Sequence, residues 1–443
     1  MNGEPGGRLL ARGGLPGGRV QVAGDKSISH RAAMFGALAQ GETRITGFLA
    51  GEDCLATLAA FRAMGVAVDG PDAEGRVRID GVGLNGLAAP EGPLDMGNSG
   101  TSMRLMAGLL AGQGFASELT GDASLRNRPM ERVVAPLTRM GARIRAEGEG
   151  GRPPLHIEPA PDLKGQHQAL TVASAQVKSA LLLAGLYADG ETCVTEPAPT
   201  RDHTERMLAA FGYPVRRDGA TVCLDGGGRL TGTDLAVPGD LSSAAFFLVA
   251  AAITPGAELT VEGVGINPTR GGALDVLRAM GANIQEATPR TWGGEPVADL
   301  EVQGGQLQGI EIPPEVVPLA IDEFPALFIA AAAAEGRTIL REAEELRVKE
   351  SDRIQVMADG LLALGIAAEP LADGIVIDGG AISGGKVDAH GDHRVAMAFA
   401  VASLAADGPV EVTGAQAIRT SFPDFLVVAE QAGLWITAEG AAS

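Results

Sequence analysis

The stretch GDKSISHRAAMFGALAQGETRI, residues 24–45, decides the fold, because a close echo of it, GDLSSAAFFLVAAAITPGAELTV, begins again at Gly239. Each has a polar head, about three turns of small apolar residues, a glycine-containing break and a β-branched strand. Four weaker copies share that order: GNSGTSMRLMAGLLAGQGFASEL from Gly97, ASAQVKSALLLAGLYADGETCV from Ala173, AIDEFPALFIAAAAAEGRTIL from Ala320 and GDHRVAMAFAVASLAADGPVEV from Gly391. A second helical stretch follows each copy and ends at Gly65, Gly141, Gly212, Gly281, Gly365 or Gly433, just before a short strand. Glycine there fits a left-handed C-cap, a conformation that costs it little.

The first helix of each unit is apolar nearly all round and is expected to be buried; the second is amphipathic and is expected outside. The interval of roughly 70 residues is too long for a solenoid repeat. The GDKS and GDLS heads mark a threefold half that is itself duplicated. The fold predicted is α/β: two domains, each of three repeated units with buried helices, joined by a two-crossing hinge. One domain is discontinuous, 1–24 and 239–443; the other, 25–238, is inserted in it.

A polar head before a buried helix supplies an N-cap, and the first-turn N–H groups with the helix dipole favour an anion there. Several such heads together make a phosphate or carboxylate site without net basic charge. Ser242 and Ser243 fit plain capping as readily as ligand contact. Lys26, Ser27 and Arg31 are different: the chain has only five lysines, and capping needs none. Asp322 and Glu323 open one helix; Asp392, His393 and Arg394 open another. In ELRVKESDR, Lys349, Glu350 and Arg353 are spaced to share one helical face, either as a solvated surface or as a site. Arg126, Arg128 and Arg132 lie in a loop that is either exposed or anion-binding.

Composition narrows the classes. Of 443 residues, 45% are hydrophobic and 20% charged, which is globular. Thirty-five basic against fifty-five acidic residues give −20, the wrong balance for a nucleic-acid partner. The N-terminal MNGEPGGRLLARGGLPGG has no apolar core of a secretory signal, and the runs Ala244–Ile253 and Ala326–Ala334 are about half a membrane span. Cys54, Cys193 and Cys223 are far apart, without metal-ligand spacing, and imply a reducing, cytoplasmic setting and no disulfide framework. Cys54 has no evident partnering His for nucleophilic work. His390 and His393 lack a third ligand for a metal. Gly81, Gly83 and Gly86 match a dinucleotide fingerprint, but no helix follows them.

GDKSISHRA, GNSGTSMRL, SLRNRPM, SAQVKSALLLAG, TRDHTE, IDEFP, ELRVKESDR, GDHRVAMA and TSFPDF, in that order from Gly24 to Phe425, resemble the EPSP synthase (3-phosphoshikimate 1-carboxyvinyltransferase) family. The resemblance is nearest to the branch of bacterial synthases that includes glyphosate-tolerant members. It implies two inside-out α/β domains and transfer of an enolpyruvyl group from phosphoenolpyruvate to the 5-hydroxyl of shikimate-3-phosphate, on the route to aromatic amino acids. It implies no metal or organic cofactor, small-molecule substrates only, and a cytoplasmic monomer without nucleic-acid or membrane partners.

Residue by residue, the resemblance assigns Lys26, Ser27, Arg31, Ser174, Gln176, Arg201, Asp322 and Lys349 to shikimate-3-phosphate. It assigns Lys26, Asn98, Gly100, Arg128, Glu350, Arg353 and Arg394 to phosphoenolpyruvate, with Arg104 and His393 in support. Asp322, Glu350 and Lys26 would move protons. One departure is Thr420, where many relatives carry Lys before T-F-P. The rival on the same fold acts on UDP-N-acetylglucosamine, opens with Lys–Asn and uses a loop cysteine; this chain has Lys26–Ser27 and no cysteine near Arg128. RNA 3′-phosphate cyclase is disfavoured by the acidic balance, and a non-catalytic anion binder by the carboxylates Asp322 and Glu350.

Overall fold

Residue 25 shows how each helix starts. The Asp25 carboxylate accepts the amide N–H of Ile28 at 2.8 Å, and the helix Lys26–Leu38 (α1) follows, eleven of its residues buried. Ser99 caps Gly100–Ala111 (α2) and Ser174 caps Ala175–Gly185 (α3). Asp240 caps Leu241–Ala252 (α4), whose every residue is buried, and Asp392 caps His393–Ala402 (α6). Phe324–Ala333 (α5) has no side-chain cap and carries Pro325 in its first turn, where no amide donor is missed. These are the six apolar stretches of the repeat.

The computed structural model describes residues 7–439. Six small sheets accompany the six helices. Five have four strands in one plan: a parallel pair, then two antiparallel additions, as in Asp234–Ala236, Gln40–Thr46, Val77–Val82 and Ala67–Asp69. The sixth has three, Arg337–Leu340, Ile375–Asp378 and Ala367–Pro370, with isolated parallel bridges, Gln308 to Glu335 and Glu311 to Ile339, where the fourth would lie. The outer helices end at the six glycines singled out in the sequence, and all six have positive φ, from 78° to 102°. Inside, α2 and α3 approach so closely that a Cβ on Gly108 would lie 2.1 Å from the Ala180 carbonyl oxygen.

The chain divides into two compact units. Unit 1 is residues 1–23, 238–290 and 296–443 and holds α4, α5 and α6; unit 2 is 24–237 plus 291–295 and holds α1, α2 and α3. Residues 291–295 turn the hairpin between strands Asn283–Trp292 and Glu295–Gln303, so the chain passes between units at more places than a two-crossing hinge has. In unit 2, Glu295 accepts from the buried His203 at 2.8 Å.

Two sequence expectations fail. Cys193 and Cys223 are joined in a disulfide. They are 30 residues apart in the chain but directly opposite on antiparallel strands, a register that spacing alone does not reveal. Lys349, Glu350 and Arg353 do not share a helical face. Residues 344–348 form a short turn, the Asp352 carboxylate accepts from the Gln355 amide at 3.1 Å, and the helix begins only at Arg353.

Candidate active site

In unit 2 the three helix heads are stitched side by side. Gln176 at the start of α3 donates to Thr101 Oγ1 of α2 at 2.9 Å and accepts from Arg104 Nη1 at 2.6 Å. His30 of α1 lies 3.2 Å from Ser102 and 3.4 Å from Ser99, and Arg31 of α1 donates to Ser179 of α3 at 2.8 Å. Three sets of first-turn amides therefore share one end of the unit, where an anion is favoured.

The cations at that end are held by neighbours. Lys26 pairs with Asp53. Arg128 donates to Asn98 Oδ1 at 2.9 Å, and Asn98 in turn donates to Asp122 at 2.7 Å. Gly100 opens α2 beneath them: a Cβ there would lie 3.0 Å from Arg104 Nη1 and 3.2 Å from Arg128 Nη1. Arg31 is buried, with its nitrogens on Thr204 Oγ1, the Ser27 carbonyl and Ser179 Oγ. Burial pulls its pKa down to about 10, against the raising influence of Glu205 and Asp25. Ser174 spends its hydroxyl on its own helix cap, and Arg201 stands half-buried in the loop before the outer helix His203–Ala210.

Behind these residues lies a network that the sequence did not flag. Lys178, fully buried on α3, reaches Glu196 and Glu205 at 2.8 Å each, and Thr200 donates to Glu196. It ties the Arg201 loop to α3 with ionic bonds, costly to break because one buried charge would be stranded. Cys54 does have a histidine neighbour: its Sγ is 3.8 Å from His30 Nε2. Both are buried, and burial, then Lys26 and Arg31, holds the imidazole well below its usual pKa, so it is neutral.

Unit 1 is built around Arg353. The guanidinium is 1% exposed and donates to Asp392 through Nε at 2.8 Å and to Glu350 through Nη2 at 2.7 Å. Its Nη1 lies 3.8 Å from Asp322 Oδ1 and has no hydrogen-bond acceptor. Burial alone would lower the pKa of Arg353, but Asp392, Glu350 and Asp322 outweigh it and the net shift is upward. Burial likewise works to raise Asp392, and Arg353 overrides it, leaving Asp392 below the usual carboxylate range.

Lys349 Nζ stands 3.4 Å from Asp322 and 2.8 Å from Glu345. Arg394 donates its amide to Asp392 at 2.9 Å, while its half-buried guanidinium has no ion pair among the described residues. The unit therefore brings Asp322, Lys349, Glu350, Arg353 and Arg394 together at the heads of α5 and α6. Beside them Ser242 donates to Glu323, and Arg270 bonds Ser242 at 2.6 Å and Glu323 at 3.2 Å. For Ser242 the capping alternative falls, since Asp240 is the cap and Ser242 is a link to α5.

Asp392 is the buried partner of Arg353 that motif reading undervalued. It stands 39 positions from the arginine it fixes, and only its place in a GD head hinted at it. Among the described residues, the only grouping suited to a metal is Glu191, Cys193 and Cys223, and it includes neither His390 nor His393.

The family model for EPSP synthase (3-phosphoshikimate 1-carboxyvinyltransferase) matches residues 15–428. A 3-phosphoshikimate 1-carboxyvinyltransferase of Alkalilimnicola ehrlichii is 62% identical, with 97% of each chain covered. That of Coxiella burnetii is 53% identical over 94% of this chain and 95% of its own. The solved EPSP synthase of Acinetobacter baumannii superposes with a TM-score of 0.89 at 55% identity, covering 98% of this chain and all of that one.

Proposed function

We propose how a chain that belongs to the EPSP synthase family divides the family's reaction among its residues. The reaction itself is the transfer of the enolpyruvyl group of phosphoenolpyruvate to the 5-hydroxyl of shikimate-3-phosphate, with release of phosphate, in aromatic amino-acid biosynthesis. The observation that carries the assignment is Arg353. A guanidinium buried this deeply, with Nη1 lacking a hydrogen-bond acceptor, is costly until an acceptor arrives, and a substrate phosphate or carboxylate oxygen is that acceptor.

On this reading Arg353, Arg394 and Arg128 clamp phosphoenolpyruvate, with Asn98 orienting Arg128 and Gly100 leaving space beneath the guanidinium. Lys26, Ser27, Arg31, Ser174, Gln176, Arg201 and Lys349 hold shikimate-3-phosphate, Arg31 largely by positioning Ser27 and the His203–Ala210 helix. Asp322, kept near Lys349 and Arg353, takes the proton of the 5-hydroxyl as its oxygen attacks C2. C3 gains a proton from Lys26 or Glu350, giving a tetrahedral intermediate. Return of a C3 proton to that residue and protonation of the departing phosphate then restore the enol ether. The cations stabilise charge on carboxylate and phosphate throughout.

The same reading makes the protein a cytoplasmic monomer acting on two small anions. The acidic net charge of −20 supports the absence of a nucleic-acid partner, and no helix among the described residues is long and apolar enough to cross a membrane. The test is phosphate release from phosphoenolpyruvate with each of two acceptors. Release is expected with shikimate-3-phosphate and not with UDP-N-acetylglucosamine; release with the second alone would overturn the assignment.

A further inference from the structure

The third sheet of unit 2 carries a row of four cross-strand neighbours. His167 pairs with Cys193, Cys193 with Cys223, and Cys223 with Arg216. Directly opposed residues point to the same face of a sheet. The alternate residues Thr192, Val194, Val222 and Leu224 are the buried ones on the core side, so the row lies on the outer face. Cys193 is 6% exposed, while Cys223 is half-buried.

The Cys193 amide donates to Gln166 on the other neighbouring strand, at 3.0 Å. The cysteines therefore form a pair without mutual backbone bonds, the closer kind, with Cα atoms 4.1 Å apart. Two residues earlier on the same face, Glu191 Oε2 is 3.4 Å from Cys193 Sγ. The two sulfurs and a Glu191 oxygen all lie within 4.8 Å of one another. Arg216 ion-pairs with Glu191 and with Asp225, the latter at 2.7 Å.

We propose that Cys193, Cys223 and Glu191, once the disulfide is reduced, form a binding site for one thiophilic divalent cation of the zinc and cadmium class. A dithiol reductant delivers two electrons and two protons to the disulfide, giving two thiols and its own disulfide. The cation then displaces the two thiol protons and is held by two thiolates and one carboxylate. Water completes the tetrahedral set such ions prefer. Two thiolates, one carboxylate and a divalent ion leave one net negative charge, and the neighbouring Arg216 offsets it. Oxidation and metal binding are thus mutually exclusive states of one outer-face site, unconnected with the transfer reaction.

The test uses the full chain, oxidised or reduced and desalted without oxygen, titrated with cadmium ion alone. Reduced protein is expected to take one ion per chain, develop a thiolate-to-metal charge-transfer band and release protons. Bound cadmium should shield two thiols from a disulfide reagent that otherwise titrates them; Cys54, fully buried, is silent in both states. Oxidised protein is expected to bind none. Cys193→Ser and Cys223→Ser should each abolish the band at unchanged turnover. Glu191→Gln should weaken binding by at least the ~10-fold typical of losing even an outer-shell partner. A reduced wild type without the band, a band that survives either serine variant, or a Glu191→Gln affinity equal to wild type would overturn the site. The wild-type comparison of redox states holds even if a variant fails to fold.

Discussion

Replacing Arg353 by Met would leave Glu350, Asp392 and Asp322 around a site from which the only fully buried cation has gone. Asp392 is itself 0% exposed and keeps, besides Arg353, only the Ser351 hydroxyl and first-turn amides of α6 as donors among the described residues. Removing one partner of a buried ion pair costs about 3–5 kcal/mol. For a unit of this size each kcal/mol moves Tm by ~2–4 °C, so a fall of roughly 6–20 °C is expected by calorimetry at neutral pH.

The penalty must depend on pH. In the wild type Asp392 is depressed, so its contribution is present above the unfolded carboxylate pKa of about 3.9 and is lost only as pH falls through the lower folded value. In the variant, burial without the arginine raises the folded pKa of Asp392 above the unfolded one. The variant then recovers stability by protonation as the pH drops through that raised value. The gap in Tm should accordingly shrink from pH 7 towards pH 4.5. Arg353→Lys, which keeps the charge but not the fork, should fall between. A gap below about 2 °C at pH 7, or one that widens on acidification, would refute the hub.

Asp322→Asn should keep affinity for shikimate-3-phosphate while losing ~10²–10⁴-fold in kcat, as loss of a general base does; an unchanged kcat would remove it from proton transfer. Arg128→Ala should raise KM for phosphoenolpyruvate far more than for the acceptor, by about thirtyfold or more at a cost of roughly 2–5 kcal/mol. Equal effects on both substrates would assign Arg128 elsewhere. Gly100→Ala places a methyl against the mobile ends of Arg104 and Arg128, so the fold should tolerate it. The expected result is weaker glyphosate inhibition with a smaller rise in phosphoenolpyruvate KM; parallel losses would count against the placement of Gly100.

What could be read from the sequence follows the range of the forces involved. The sixfold pattern was legible because helix burial, capping and the left-handed glycine are local, and each left its mark in a contiguous stretch. Lys26 and Asp322 stood out as charges in heads that capping alone does not require, and Arg353 stood out with Lys349 and Glu350 in the ELRVKESDR stretch between two heads. Tertiary pairings were not legible. Nothing near Lys178 announces Glu196 and Glu205, and Asp392 meets Arg353 only because the head of α6 abuts the start of the outer helix Arg353–Ala363. The ELRVKESDR stretch misled because 3.6-residue spacing suits a helix, yet Asp352 caps there and starts the helix later. The Cys193–Cys223 pair depended on strand register, which composition cannot supply.

The strand Arg8–Gly14 lies in its sheet between Val410–Thr413 and Leu434–Glu439. On a ribosome this segment emerges long before residues 410–439, which supply both of its neighbours. Unit 2 has most of its chain once residue 237 is made, but its 291–295 turn comes later and unit 1 later still. The nascent chain must carry an unpaired ribbon while the intervening residues are made, exposed to chaperones and to other ribbons like it. Joining the two ends by a short linker and opening the chain at the exposed turn around Gly219 would make all three strands near neighbours in time. Such a permutant should fold faster during synthesis and aggregate less than the natural order of the same residues.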